Sequence, residues 1–474
     1  QWTNLRFSLA KYAQMEKSKL DAANINLDSL ENKANSLEKD LSLKSEAFAS
    51  ITDDKVPTWQ DVQKQLKKNE AAIELVRINK FGIAKIVTDT SAQKVSGKFP
   101  EYKVHDLTDS IHYAALIVTT KSKEPELVLL KNGNDLETLY ATYQKNAIAF
   151  QQEDTASYKQ FWQPIGQKLK EMGIKKGGKV FLSPDGVYNQ ISLNTLFNPK
   201  TKKYLMDELE IHTVTNTKDI LAFGKAENKN LKAELIGFPS YDLDQNTWAN
   251  LSNEAAEADA FASRSFSAGF QTVSMLPGTQ LEIVNIQSIL GQNGYQSGIS
   301  IAEKATEESV KAVQNPKILH IATHGFFIGA NEKNEKIDPM LRSGLLLAGC
   351  SNYAKAEEKP QTEDGILTAL EAANLELDET DLVVLSACET GLGDVKAGEG
   401  VYGLQRAFRV AGAKSILISL WKVDDAATQK LMTSFYKNLS KLDNARLAFK
   451  VAQKEIRKEY PDPYFWGAFV LVGE

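Results

Sequence analysis

Cysteine is nearly absent from this chain: its 474 residues hold two, Cys350 and Cys388. Two thiols build no disulfide framework, so a reducing compartment, the cytoplasm, is the expectation. Long apolar runs are missing as well. None approaches the roughly 20 residues of a membrane-spanning helix, and no membrane partner is expected. An excess of either charge sign is also lacking. The net charge of -5 supplies no basic footprint for nucleic acid or for an anionic lipid surface. Neither a GxGxxG fingerprint nor a P-loop occurs, so nucleotide chemistry is unsupported. No signal peptide is evident, and the chain opens on Gln1-Trp2 rather than Met, which suggests a fragment of a longer chain.

What is present changes period along the chain. Leu27, Leu30, Ala34, Leu37 and Leu41 keep 3-4-3-4 spacing, a narrow apolar stripe that predicts a helix pairing with another helix over residues 1–58. This segment would end a helical array and offer a surface for a regulatory partner. Thr58 and Asp61 form a capping signal for a short helix at 59–66. Branched runs at 72–81, 112–120 and 126–131 read as strands, and helical pattern returns over 134–172. Val180-Phe181-Leu182 is a buried strand that ends in the turn Ser183-Pro184-Asp185-Gly186. Strands follow at 211–215 and 234–238, then a helix over 246–269.

From about 276 onward, helix and strand alternate. Helices are expected at 280–290, 306–313, 367–374, 401–410 and 426–439. Strands are expected at 296–301, 318–323, 382–388, 415–421 and 466–472. Such alternation predicts a parallel sheet with helices on both faces.

The chemistry gathers where two of these strands end. Leu382 to Leu385 is a short branched apolar run, as in a strand buried on both faces. It leads through Ser386 and Ala387 to Cys388 and a glycine-punctuated loop. Open parallel sheets bind ligands at the carboxyl ends of their strands. The strand 318–323 ends likewise on His324-Gly325. A thiol and an imidazole so placed suggest a nucleophile and its general base. Gly325 would turn a backbone N–H toward an oxyanion. On the residues alone, Cys388 reads equally as an inert core thiol. His320 and His324 stand four apart, but a strand context and the missing third ligand oppose zinc, and no metal or cofactor is expected. His320 reads as a satisfied core histidine. Trp421, Asp424 and Asp425 leave the next strand at the same end, where they would line a substrate pocket with Ser386. Asp425 with Thr428 also reads as a helix cap. Cys350 reads as packing.

ILHIATHGFF (318–327), SGLLLAGC (343–350), DGILTALEAANLEL (364–377) and LVVLSACETGLGD (382–394) resemble the CHAT domain. So do the stretches 398–439 and 463–473, and more loosely 181–196, 234–241 and 276–283. This caspase-like family is often joined to TPR repeats. The resemblance implies an α/β, caspase-like three-layer α/β/α fold with a helical extension over 1–58. A degenerate caspase-like half at 59–270 would precede an active half at 271–474. It further implies a caspase/separase-type cysteine endopeptidase, with His324 matching the family base and Cys388 its nucleophile. The oxyanion donors would be the N–H groups of Gly325 and Cys388. The partner would be a protein substrate, in bacterial defence or programmed cell death, with gasdermin-like pore-formers among those implied. SACETG departs from the caspase signature QAC[RQG]G, and no Arg follows strand 415–421, so an acidic residue before the cut is not expected. The rival reading is a silent caspase-like scaffold that serves as an interaction module.

Overall fold

A computed structural model of the chain describes residues 26, 29, 30, 33, 36, 57–88, 101–130, 132–224, 229–248, 272–329, 338–356, 363–387, 390–391, 394–396 and 400–474. The first strands are β1 (Glu70–Thr88), β2 (Glu101–Thr119), β3 (Glu126–Leu130) and β4 (Lys179–Ser183). The short β5 (Phe197–Asn198) and β6 (Lys203–Tyr204) pair only with each other. Then come β7 (Glu210–Thr213), β8 (Lys232–Pro239), β9 (Gln296–Ala302) and β10 (Ile318–Ala322). β11 (His324–Phe327), β12 (Ser343–Leu346) and β13 (Ile366–Thr368) make a separate antiparallel sheet. β14 (Leu382–Ser386) follows, then the paired β15 (Asp394–Lys396) and β16 (Gly400–Tyr402). β17 (Ser415–Ser419) and β18 (Phe469–Gly473) close the chain.

Among the described residues the main sheet has eleven strands, ordered β3-β2-β1-β4-β7-β18-β17-β14-β10-β8-β9. It is parallel from β1 to β18 and again from β17 to β9, with an antiparallel β17–β18 junction. Alternation sends successive side chains into two cores. Leu382 and Val384 join one apolar cluster with Trp421 and Phe435, while Val383 and Leu385 join the other with Phe408. Helices 133–148, 277–292, 425–442 and 445–459 cover the first face, and the helix Leu404–Val410 covers the second. This is the expected three-layer α/β/α arrangement. Among the described residues no helix is long and apolar enough to cross a membrane.

Several elements differ from the sequence reading. β1 and β2 run longer than the branched runs that announced them, as one long antiparallel hairpin. The helical pattern over 134–172 divides into Gly133–Ile148 and a second stretch from Thr155 to Glu171. The segment after Ile366 opens as a strand, because pairing of Leu367 with Leu345 overrides its helical propensity. Thr368 then starts a single helical turn through a capping box with Glu371. The helix Ala445–Glu459 was not anticipated at all. β8 inserts between β9 and β10 in the main sheet. Of the amino-terminal stripe only Leu30 is described, in a helical turn begun by Asn26. Most of the expected 246–269 helix, with Leu27, Ala34, Leu37 and Leu41, lies outside the described residues.

Candidate active site

β10 and β14 are parallel neighbours in register, Ala322 beside Ser386. Their carboxyl ends therefore stand level. Thr323 crosses the gap, its N–H donating to Ser386 O at 3.3 Å. The chain then turns out of the main sheet, and His324 begins β11, opposite Leu346. Tyr241, at the end of β8, holds this corner. Its hydroxyl bonds Thr323 Oγ1 at 2.9 Å and accepts the His324 N–H at 3.3 Å. Thr323 Oγ1 also donates to Leu346 O at 2.5 Å. The His324 ring lies 5.4 Å from the Tyr241 ring, half-buried.

One contact decides the tautomer of that ring. His324 Nε2 lies 2.8 Å from the carbonyl oxygen of Ser274. A carbonyl only accepts, so Nε2 carries the hydrogen, and the neutral ring keeps its acceptor lone pair on Nδ1. An imidazole so arranged is a base at Nδ1, oriented from behind by a backbone oxygen.

The loop that leaves β14 is tied to the end of β17. Ser419 Oγ donates to Ala387 O at 2.5 Å, and Ser419 N–H donates to Thr390 Oγ1 at 3.1 Å. Gly391 N–H donates to Ser419 O at 2.7 Å. A Cβ on Gly391 would meet Ser419 O at 2.9 Å and Leu420 Cδ2 at 2.8 Å, so this close approach requires glycine. Cys388 itself lies outside the described residues; its neighbours Ala387 and Thr390 are the groups that Ser419 holds. Ser386 is buried, and its Oγ has no hydrogen-bond partner among the described residues. Gly325 follows His324 in β11, opposite Leu345.

The expected pocket walls need correction. Trp421 is buried in the main core, its indole N–H donating to Tyr464 O at 3.1 Å and its ring edge-on to Tyr143. A side chain so buried packs in the core and offers no open pocket wall among the described residues. Asp424, not Asp425, caps the helix Asp425–Leu442 by accepting from Ala427 N–H at 2.8 Å. Asp425 instead accepts the Gly278 N–H at 2.8 Å, fastening the helix Pro277–Gln292 to it. Both aspartates thus have structural partners.

His320 is the satisfied core histidine its position suggested. Fully buried, it bonds Glu282 Oε1 at 2.8 Å and the Tyr436 hydroxyl at 3.0 Å. Burial holds the Tyr436 phenol well above its ordinary pKa. Among the described residues, the one group with metal-ligand spacing is Glu307, Glu363 and Glu371. The Lys311 ammonium sits among these three, at 2.7, 2.8 and 3.3 Å. Cys350 is buried in a satellite core with Tyr241 and Phe326. Burial pushes its thiol up to about 12, the wrong direction for a nucleophile at neutral pH.

Sequence reasoning missed Tyr241, Ser274, Thr390 and Ser419. Tyr241 lies inside a stretch that carried the resemblance, but nothing marked it as a neighbour of His324. Ser274 contributes a carbonyl, which every residue has, so no residue type signals it.

Comparison with known proteins places these observations in a family. The CHAT domain model matches residues 155–474. Human tetratricopeptide repeat protein 28 is 35% identical over 215 residues, covering 42% of this chain and 8% of its own length. The mouse protein of that name is 33% identical over 125 residues, covering 26% and 5%. The chain thus spans less than a tenth of these relatives. Among solved structures, the Arg-specific cysteine proteinase gingipain R is similar at 11% identity, with a TM-score of 0.38 over 71% of this chain and 75% of its own. The Saccharomyces cerevisiae separase–securin complex is similar at 12% identity, with a TM-score of 0.33 over 67% of this chain and 17% of its own.

Proposed function

The chain belongs to the CHAT domain family, and from that premise we propose that it is a cysteine endopeptidase with Cys388 as nucleophile and His324 as base. The observation that carries this reading is the His324 Nε2 contact to Ser274 O. It leaves Nδ1 as the acceptor, on a residue that follows the level ends of β10 and β14. Position 324 is two residues past Ala322, as position 388 is two past its register partner Ser386.

Nδ1 takes the thiol proton, and the thiolate sulfur attacks the scissile carbonyl carbon. The N–H groups of Gly325 and Cys388 take the oxyanion, each such donor typically contributing about 2.7–4 kcal/mol. The tetrahedral intermediate collapses as the imidazolium returns its proton to the leaving amine. Water, deprotonated at Nδ1, then hydrolyses the thioester and frees the second product. Throughout, the Ser274 carbonyl stabilises the ring hydrogen on Nε2. The substrate is a protein. A role in bacterial defence or programmed cell death, with gasdermin-like pore-formers as substrates and the amino-terminal helices as a regulatory surface, rests on family kinship.

The test combines cleavage with labelling. A peptide library read by mass spectrometry is expected to show cleavage that Cys388→Ala abolishes without lowering Tm. An iodoacetamide-type probe near neutral pH is expected to label Cys388 stoichiometrically and to spare Cys350, whose thiol is buried and protonated. Undiminished cleavage by Cys388→Ala would refute the mechanism. Absence of both cleavage and Cys388 labelling would favour the scaffold reading.

A further inference from the structure

The main sheet is barely closed at one point. β7 and β18 are neighbours, yet they share a single residue pair, Thr213 with Val472. On either side, β4 and β7 share four pairs and β17 and β18 share five. A cavity of about 300 Å³ opens along this seam, and neither His324 nor Ser386 lines it.

Arg446, from the helix Ala445–Glu459, reaches into the seam. Its guanidinium donates to the β18 carbonyls of Leu471 at 3.2 Å and Gly473 at 2.6 Å. Those oxygens lie along the strand edge that β7 leaves largely uncovered. Of its remaining N–H donors, that on Nε is buried with no hydrogen-bond partner among the described residues, and Arg446 forms no ion pair within 4 Å of a described carboxylate. Burial lowers the guanidinium to about 10.

A buried cation is costly unless it is compensated; the Glu210 carboxylate partly offsets the burial of Arg446, and further cations stand nearby. Lys179 and Lys450 also line the cavity; Glu210 lies 3.5 Å from the Lys450 ammonium and Glu70 3.6 Å from that of Lys179, which leaves three cations against two carboxylates. His212, on the same wall, is held neutral, its pKa lowered to about 2 by burial first and then by these three cations. Arg446, Lys450 and Gln453 follow i, i+4, i+7 spacing, so one helix face presents all three. Gln453 is completely buried; its Nε2 donates to Trp466 O at 2.9 Å, while its Oε1 has no partner among the described residues. Across the cavity the buried Ser192 Oγ is unpartnered too. Native proteins leave few such groups unsatisfied. The cavity therefore has cations at Arg446 and Lys450 and, two helical turns or roughly 10 Å along the helix from Arg446 and one turn past Lys450, an acceptor that lacks a donor.

We propose that the seam cavity binds a small phosphate ester, its anionic end at Arg446, Lys450 and Lys179 and a hydroxyl donating to Gln453 Oε1. Such a ligand would compensate the guanidinium and connect helix 445–459 with β4 and β7. It would thereby strengthen the sheet where backbone pairing is weakest. The assignment is independent of the cysteine chemistry.

The test is calorimetric titration and thermal melting of the full chain with ribose 5-phosphate, inorganic phosphate and ribose at constant ionic strength. Saturable binding and a raised Tm are expected for ribose 5-phosphate, weaker binding for inorganic phosphate and none for ribose. Lys450→Met and Lys179→Met are each expected to weaken binding tenfold or more. Both side chains are partly exposed, so the unliganded Tm should hardly move and misfolding is directly checked. Gln453→Met is expected to bring ribose 5-phosphate down to the affinity of inorganic phosphate. No saturable binding at 10 mM ligand, or equal affinity in wild type and the lysine variants, would overturn the proposal. Equal affinity of wild type for the two phosphates would overturn the role given to Gln453.

Discussion

His324 shows how little a side chain's type says about its task until its partners are known. His320 and His324 are four residues apart, yet one is locked between Glu282 and Tyr436 while the other has one ring nitrogen bonded, Nε2 to Ser274 O, among the described residues. The difference lies in what each nitrogen meets. Both His320 nitrogens meet side chains inside the core, whereas His324 Nε2 meets a carbonyl that fixes its hydrogen. Trp421 makes the same point in reverse. At a strand end it looked like a pocket wall, but it is fully buried with its N–H satisfied. Trp421→Ala is accordingly expected to cost about 3–5 kcal/mol of stability, measured by urea unfolding. The residue preferred before the cut should stay unchanged in whatever enzyme remains folded. Altered preference with unchanged stability would return Trp421 to the substrate pocket.

At the scale of elements, the candidate site depends on strand ends that stand level and on loops tied across them. The β10–β14 register brings Thr323 beside Ser386, and β17 reaches over to hold the loop after β14 through Ser419. Ser419→Ala removes the bond to Ala387 O on the residue before Cys388. The expected cost is about 1–2 kcal/mol, with slower cleavage at saturating peptide well below the melting temperature. A variant that melts lower but cleaves at the wild-type rate would show that this tie serves the fold alone. The unanticipated helix Ala445–Glu459 belongs to this scale too. It places Arg446 against the bare carbonyls of β18, supplying hydrogen bonds that a fuller β7–β18 ladder would otherwise make.

Across the whole molecule, one buried cluster of charge ties distant elements together. Glu307, Glu363 and Glu371 surround Lys311, joining the helix Glu307–Lys311 to the chain on both sides of β13. Asp364, buried beside them, adds a fourth carboxyl. Burial, then the neighbouring carboxylates, raises Glu307 well above its ordinary pKa. The folded state therefore retains a proton that the unfolded chain sheds near pH 4.5. Stability from this group is fully present below the unfolded pKa and is lost as pH rises toward the folded one. Glu307→Gln should consequently gain on wild type as pH rises from about 4 to 7, as read by urea unfolding at a series of pH values. A stability difference that stays constant with pH would refute the raised pKa.

The sequence by itself determined the three-layer α/β/α class, the strands that carry His324 and toward Cys388, the inert role of His320 and the family. These rest on local periodicity and contiguous motifs, which a linear chain displays directly. Only the tertiary structure decided which nitrogen of His324 is free, that Asp424 rather than Asp425 caps its helix, and that Trp421 belongs to the core. It also set the place of β8 between β9 and β10 and the turn of residues 366–368 into a strand. Each of these depends on a partner distant in the chain, often a backbone carbonyl or N–H. Such groups are present at nearly every position and carry no residue-type signal until folding brings one of them into reach.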